Sequence, residues 1–223
     1  MHVRNIKAVI FDMDGTLLDS EILTEKATAE LLHESNITET SLDYKEFYGT
    51  TWRQIGEMVQ KAHPELGELD LPAVLQEKFH RLSEEHPPPE IPGSRNAMIR
   101  AHGLMPTAIA TSSNRESVQD VVKHMGIGDY LTDYVCADDY GPSKPDPTCF
   151  LLAAERLDVA PSQCLVFEDS IAGLQAANKA DMTSVAVTYR SADVAKAEEL
   201  ADFGIGTFKG LPGDFFEKIM QPS

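Results

Sequence analysis

Cysteine, basic residues and long apolar runs are all scarce in this chain. The three cysteines, Cys136, Cys149 and Cys164, are odd in number and have no Cys-x-x-Cys spacing. That excludes a disulfide framework and a zinc knuckle and leaves them as small buried hydrophobes. Lys and Arg number 19 against 36 Asp and Glu, a formal net charge of −17. Such a surface repels a phosphate backbone, so no nucleic-acid partner is expected. It would also oppose a small anionic substrate unless a metal ion and a few local cations reverse the field inside a cleft. No apolar run reaches the roughly 18–20 residues of a membrane span. The short N-terminal run meets Asp12 and Asp14 at once, unlike a signal peptide, so the expectation is a cytoplasmic protein with no membrane partner. No two of the seven histidines stand at a metal-binding spacing, and there is no internal repeat.

What is present is ordinary globular composition, 42% hydrophobic over 223 residues, enough for one full domain and a smaller one. Ile6 to Phe11 is a short, nearly continuous apolar run that ends in a glycine-containing turn, as a strand buried on both faces would. Thr107–Ala110, Cys164–Phe167 and Ser184–Val187 repeat the pattern, and helical patterns follow the first two of these. The fold class expected is α/β, a doubly wound, Rossmann-like parallel-sheet core. Ser113-x-x-Glu116 reads as the capping box of a helix whose face carries Val118, Val121, Val122 and Met125 and which Gly126 ends. A second helix is expected from Asp146-Pro147, with Asp as the cap, and a third from about Ser170 to Ala180.

Between Leu18 and His86 no strand-like run occurs. Helical periodicity marks Glu21–Glu34, Ser41–Phe47, Thr51–Ala62 and Pro72–Glu85. The expected division is therefore a helical-bundle domain over 18–87 inserted in a core of 1–17 and 88–223. The proline-rich stretch from His86 to Gly93 would act as a stiff linker.

Asp12 and Asp14 lie two apart at the end of the first expected strand, so in extended backbone their carboxylates share a side and Gly15 lets the chain turn away. Two carboxylates there suit a hard cation, and Mg2+ is the candidate because it prefers oxygen ligands and keeps water and substrate phosphate in its shell. The pair alone is also what an ordinary turn contains. A calcium loop beginning at Asp12 is excluded, since it would need Gly at position 17 and Glu at position 23, where the chain has Leu17 and Leu23.

Three further groups fall at or beyond expected strand ends, where open α/β sheets bind ligands. Thr111 and Ser112 offer hydroxyl and backbone donors beside a helix N-terminus, suited to phosphate oxygens. Lys144 stands among Pro142, Pro145 and Pro147, which could hold its ammonium where charge develops on a transferring phosphoryl group; otherwise it is a surface lysine. Glu168 and Asp169 could complete a metal site or merely favour the N-terminus of the following helix, with Asp169 the better ligand.

The ordered set Asp12-Met13-Asp14-Gly15-Thr16-Leu17, Thr111, Lys144-Pro145 and Glu168-Asp169-Ser170 resembles the haloacid dehalogenase-like superfamily, in its phosphatase and β-phosphoglucomutase-like branch with a helical cap. The resemblance covers nearly the whole chain. It implies that Asp12 attacks phosphorus to form an aspartyl-phosphate and that Asp14 first protonates the leaving oxygen, then activates water. It also implies Mg2+ held by Asp12, the main-chain carbonyl of Asp14, Asp169 and Glu168 through water, with Thr111, Ser112 and Lys144 gripping the phosphoryl oxygens. A cap would close over the cleft. Cap residues near the hinge and in the loop Tyr48-Gly49-Thr50-Thr51-Trp52-Arg53 would face it, with Glu21, Thr51 and Arg53 as the substrate candidates and Trp52 more suited to packing inside the cap.

The second acid and the metal pair argue against dehalogenation, which donates no proton to its leaving group. In β-phosphoglucomutases a histidine lies five residues after the Asp matching Asp19. Thr24 stands there in this chain, which favours hydrolysis over mutase chemistry. A non-catalytic phosphometabolite-binding protein is the reading from a different class. The expected partner is a small phosphorylated metabolite such as a sugar phosphate, phosphoglycolate or a nucleotide, and the expected state is a monomer or weak homodimer.

Overall fold

The computed structural model describes residues 5–48 and 50–221; Gly49, in the loop expected to face the cleft, lies outside the described residues. In chain order the elements are β1 (Ala8–Phe11), α1 (Glu21–Glu34), α2 (Trp52–Ala62), α3 (Leu71–Glu85), α4 (Ser94–His102), β2 (Thr107–Ala110), α5 (Arg115–Met125), β3 (Asp133–Val135), α6 (Thr148–Arg156), β4 (Cys164–Glu168), α7 (Ile171–Lys179), β5 (Thr183–Val187), α8 (Val194–Leu200), β6 (Phe203–Ile205) and α9 (Phe215–Ile219).

The strands form one parallel sheet in the order β3-β2-β1-β4-β5-β6. This is the doubly wound, Rossmann-like arrangement expected from the sequence. Its order reverses beside β1, and ligands bind outside the carboxyl ends of strands at such a reversal. Alternation divides β1 between two cores: Val9 and Phe11 face a layer holding α4, α5 and α9, while Ala8 and Ile10 face α6 and α7. All four side chains are buried, which is why the strand reads as a continuous apolar run.

Register then determines what meets at the sheet's carboxyl edge. Phe11 pairs with Phe167 across β1 and β4, and their rings stack with centroids 5.1 Å apart. Phe208 lies 5.0 Å and Phe216 6.2 Å from Phe167. The residues next in line, Asp12 and Glu168, therefore emerge side by side above an aromatic floor, and the Asp12 N–H donates to the Phe167 carbonyl at 2.9 Å.

Helices α1, α2 and α3 bury Leu31, Leu32, Ile55, Val59, Leu71 and Leu75 in a cluster of their own, with Phe47 and Leu66. Thr51 and Gln54 form the capping box of α2. Trp52 packs edge-on against Phe79 of α3. The stretch Ser41–Phe47 holds only one 3-10 turn, Tyr44–Phe47, rather than the expected helix. Thr40 Oγ1 and Asp43 Oδ1 accept from the N–H groups of Leu42 and Lys45, and such local bonds compete with a helix ladder.

Two expected caps are corrected. Helix α5 is capped by Asn114, whose Oδ1 accepts from the Ser117 N–H, because the Ser113 hydroxyl is engaged elsewhere. Helix α6 begins at Thr148 with Pro147 at the cap position, and Asp146 accepts from the Thr148 N–H one residue earlier. Helix α7 starts as expected, with Ser170 Oγ accepting from the Gly173 N–H. The three-residue strands β3 and β6, lying at the sheet edges, carry too little periodicity to be read in advance.

The proline-rich stretch is no free spacer. Asp19 N–H donates to Pro89 O at 2.8 Å and Ile91 N–H to Leu17 O at 2.9 Å, so the outgoing and returning chains lie hydrogen-bonded side by side. Ser94 Oγ also donates to Leu17 O. Asp19 is clasped by Arg190, from the loop after β5, through three contacts of 2.7–3.1 Å. Among the described residues no helix is long and apolar enough to cross a membrane.

Phe167 underlies the site and touches several rings, so Phe167→Ala should cost about 3–5 kcal/mol of stability. Urea denaturation should show the midpoint lowered and the slope unchanged. A loss below about 1 kcal/mol would mean the floor repacks.

Candidate active site

Asp12 leaves β1 at the point where the sheet order reverses, and its carboxylate is buried. Lys144 reaches it from the loop after β3, with Nζ 2.5 Å from Asp12 Oδ1 and 3.0 Å from Glu168 Oε1. The ammonium also donates to the Ala110 carbonyl at the end of β2 and lies 4.8 Å from the centre of the Phe150 ring. Its side chain is 6% exposed, so the surface-lysine alternative does not hold.

Glu168 ends β4 with both oxygens engaged. Oε1 accepts from Lys144 and Ser170 Oγ, and Oε2 accepts from the N–H groups of Asp169 and Ser170. Asp169 is buried beside it, and Thr16 Oγ1 donates to its Oδ1 at 3.1 Å. Asp12, Glu168 and Asp169 each present an oxygen within 4.8 Å of the others.

Two glycines make room for this packing. Gly15 has φ +76°, and a Cβ there would lie 2.1 Å from Asp169 Oδ2. A Cβ on Gly173 would lie 1.6 Å from Glu168 Oε1. The glycine of the Asp-x-Asp-Gly segment thus serves both the turn and the close approach of Asp169.

The electrostatics are lopsided. Burial, then repulsion from Glu168, pushes the Asp12 carboxyl well above the usual range despite the attraction of Lys144. Burial, then Glu168 and Asp12, does the same to Asp169. Burial alone would lower Lys144, but Asp12 and Glu168 outweigh it and hold the ammonium charged. Fully ionised, the three carboxylates would exceed the one ammonium by two negative charges in a low-dielectric site. All the carboxylate donors are hard oxygens, so the set fits a divalent cation of the oxygen-preferring kind.

Asp14 stands outside this group. Ser113 Oγ donates to its Oδ2 at 2.6 Å, which gives the serine expected as a helix cap a place in the site instead. Asp14 as a side-chain ligand is therefore not favoured by the geometry, and its main-chain carbonyl is left as the candidate donor. Thr111 is buried, and its Oγ1 accepts from the Ser113 N–H, so the hydroxyl keeps its hydrogen to donate. Ser112 next to it is exposed.

Of the cap candidates, Glu21 at the first position of α1 lies close enough to Asp169 to help raise its pKa. Thr51 and Arg53 are occupied within α2. Thr51 is the cap, and Arg53, 85% exposed, pairs with Glu57 one turn on. Thr16 and Ser170 stood in the sequence only as members of the motifs and Ser113 and Ser170 only as helix starts, without a role in the site, and Arg190 was not expected at all. Arg190 carries no sequence signal, since its partner Asp19 is 171 positions away.

Residues 6–181 match the sequence profile of the haloacid dehalogenase-like hydrolase family, and the chain belongs to that family. The fructose-1-phosphate phosphatase YqaB of Escherichia coli is 35% identical over 187 residues, covering 80% of this chain and 95% of that protein. The phosphorylated carbohydrates phosphatase of Thermotoga maritima is 28% identical, with 86% and 89% covered. A putative β-phosphoglucomutase from Thermotoga maritima, known as a crystal structure, superimposes with a TM-score of 0.74 at 26% identity over 96% of this chain and 97% of that one. The named phosphatases among these relatives put the chain with the family's phosphohydrolases.

Without metal, the folded state holds protons at Asp12 and Asp169 more tightly than the unfolded chain does. Stability should therefore fall as pH rises from the ordinary carboxylate range through the raised values. A cation bound only by the folded state restores about 2.7 kcal/mol at a hundredfold excess over its Kd. For a chain of this size that is a Tm rise of roughly 5–10 °C, larger near about pH 8 than near about pH 5 because protonation competes with the metal. Scanning calorimetry in chelator and in MgCl2 measures it. A rise that Asp169→Asn retains in full would remove Asp169 from the site.

Proposed function

We propose that the chain is a magnesium-dependent phosphatase of a small phosphorylated carbohydrate, working through an aspartyl-phosphate on Asp12. The observation that carries this reading is the convergence of Lys144 with Asp12, Glu168 and Asp169, while Asp14 is held separately by Ser113. The segregation suits two different jobs, since one carboxylate must attack phosphorus and the other must handle protons.

An Asp12 oxygen attacks phosphorus, the bond from phosphorus to the ester oxygen breaks, and protonated Asp14 gives its proton to that leaving oxygen. Asp14, now a carboxylate, takes a proton from water as the water oxygen attacks phosphorus. The bond to Asp12 breaks, releasing inorganic phosphate and restoring both acids. Lys144 orients Asp12 through Oδ1 and, with Thr111 and Ser112, offsets charge on the phosphoryl oxygens. Asp12, the main-chain carbonyl of Asp14 and Asp169 would hold Mg2+, with Glu168, already engaged by four donors, acting through water. The ion when bound neutralises the approach of an anionic substrate to an acidic site.

In this reading residues 18–87 form a cap on a core of 1–17 and 88–223 and shield the reaction from bulk water. The carbohydrate assignment rests on the relatives named for fructose 1-phosphate and phosphorylated carbohydrates. Hydrolysis is favoured over mutase chemistry because buried Thr24 carries no imidazole to relay a proton.

Asp12→Asn should abolish magnesium-dependent phosphate release from fructose 1-phosphate while circular dichroism and Tm show a folded protein. Near-normal turnover in that variant would sink the nucleophile assignment. Asp14→Asn should lower kcat by about 10²–10⁴-fold on sugar phosphates. On p-nitrophenyl phosphate, whose leaving group needs no proton, the loss in the first chemical step should be much smaller, as the rate constant of the pre-steady-state p-nitrophenol burst would show. Equal losses on both substrates would deny Asp14 the role of general acid.

A further inference from the structure

Tyr140 drew no attention in the sequence, yet it sits between β3 and Lys144 with its ring packed against the core cluster that includes Ala108, Ala110, Cys149 and Phe150. Its phenol donates to the Thr111 carbonyl at 3.0 Å and comes within 3.5 Å of Ser112 Oγ. Four residues on, Lys144 donates to the Ala110 carbonyl at 3.2 Å. Successive carbonyls at the end of β2 are thus held by two side chains of one short loop. The loop is itself anchored upstream, where Asp139 accepts from Arg115 of α5 and Arg156 of α6.

The bond to Thr111 has a geometric consequence. A trans peptide is planar, with its C=O and N–H directed oppositely, so fixing the Thr111 carbonyl also fixes the direction of the Ser112 N–H. That N–H and the Thr111 hydroxyl are the donors assigned to the phosphoryl oxygens. We propose that Tyr140 is a positioning residue for phosphoryl transfer, its phenolic hydroxyl holding the Thr111-Ser112 loop in register with Lys144. The inference rests on the phosphatase reading above and adds to it a residue that touches neither substrate nor metal. Its hydroxyl acts at one remove, by preventing rotation of a single peptide group.

Tyr140→Phe removes the hydroxyl and keeps the ring, whereas Tyr140→Leu removes both. The assays are kcat and KM for p-nitrophenyl phosphate with Mg2+, the Mg2+ concentration giving half-maximal rate, the Tm, and calorimetric binding of tungstate, a phosphoryl mimic that needs no turnover. Tyr140→Phe is expected to weaken tungstate binding and lower kcat/KM by about tenfold each, the loss of one oriented hydrogen bond. The Mg2+ requirement should be unchanged, and the Tm should stay within about 4 °C of wild type. Wild-type tungstate affinity and kcat/KM in Tyr140→Phe would overturn the proposal, all the more plainly if Tyr140→Leu alone is impaired, because packing would then be the residue's whole role. A shifted Mg2+ requirement with unchanged tungstate binding would overturn it too. Turnover by the wild-type protein tests the phosphatase reading separately, so the two failures are distinguishable.

Discussion

The ammonium of Lys144, buried between Asp12 and Glu168, is the contact around which the site is arranged. A charge taken out of water is tolerated only when paired and hydrogen-bonded, because desolvation costs several kcal/mol per ion. Here the lysine is outnumbered. Asp169 adds a third carboxylate; burial first and then the mutual repulsion of the carboxylates raise the pKa of Asp12 and Asp169, and the cluster of oxygens fits a divalent cation. The surface of the chain is acidic as well. An anionic substrate therefore has little reason to approach except where this charge is locally reversed.

The fold makes that concentration of charge tolerable by building it on rigid elements. The stacked Phe11 and Phe167 place Asp12 and Glu168 at the same height on adjacent strands. Glycines at 15 and 173 allow Asp169 and Glu168 to approach within distances a methyl group would forbid. Asp169 and Ser170, the residues leading into α7, supply backbone and hydroxyl donors to Glu168. Each support is local and short-ranged, so the carboxylates are held by neighbours that cannot move far. Asp14 is kept apart from this group, tied to Ser113.

The helical unit is attached differently. Its two chain crossings pair with each other through Leu17, Asp19, Pro89 and Ile91, and Arg190 clasps Asp19 from the core. Tyr48 donates to Glu25 near the same junction, and burial together with that carboxylate pushes the phenol up to about 12. The junction thus joins these polar contacts to the buried apolar side chains of Leu17, Leu18 and Ile91, which belong to the core cluster under the sheet.

The strands β1, β2, β4 and β5, the helices α1, α2, α3, α5 and α7, and the motif residues Asp12, Asp14, Thr111, Lys144, Glu168 and Asp169 were legible in the sequence. Each depends on a pattern that repeats within a few residues: apolar runs, helical periodicity, or acids next to a strand end. Edge strands β3 and β6 were not, because three residues carry no period. Nor was the choice between Ser113 and Asn114 as the cap of α5, since either side chain can cap and only the arrival of Asp14, 99 positions away, decides it. Thr51 and Arg53 illustrate the converse, for their partners Gln54 and Glu57 lie within one helical turn and were available in the sequence all along. By itself the sequence determined which groups can do chemistry and in what order they occur. Which of them meet, that Lys144 is buried rather than solvated, and that Tyr140 and Ser113 belong beside them were decided by tertiary structure, because strand register and helix docking join residues whose separation along the chain carries no signal.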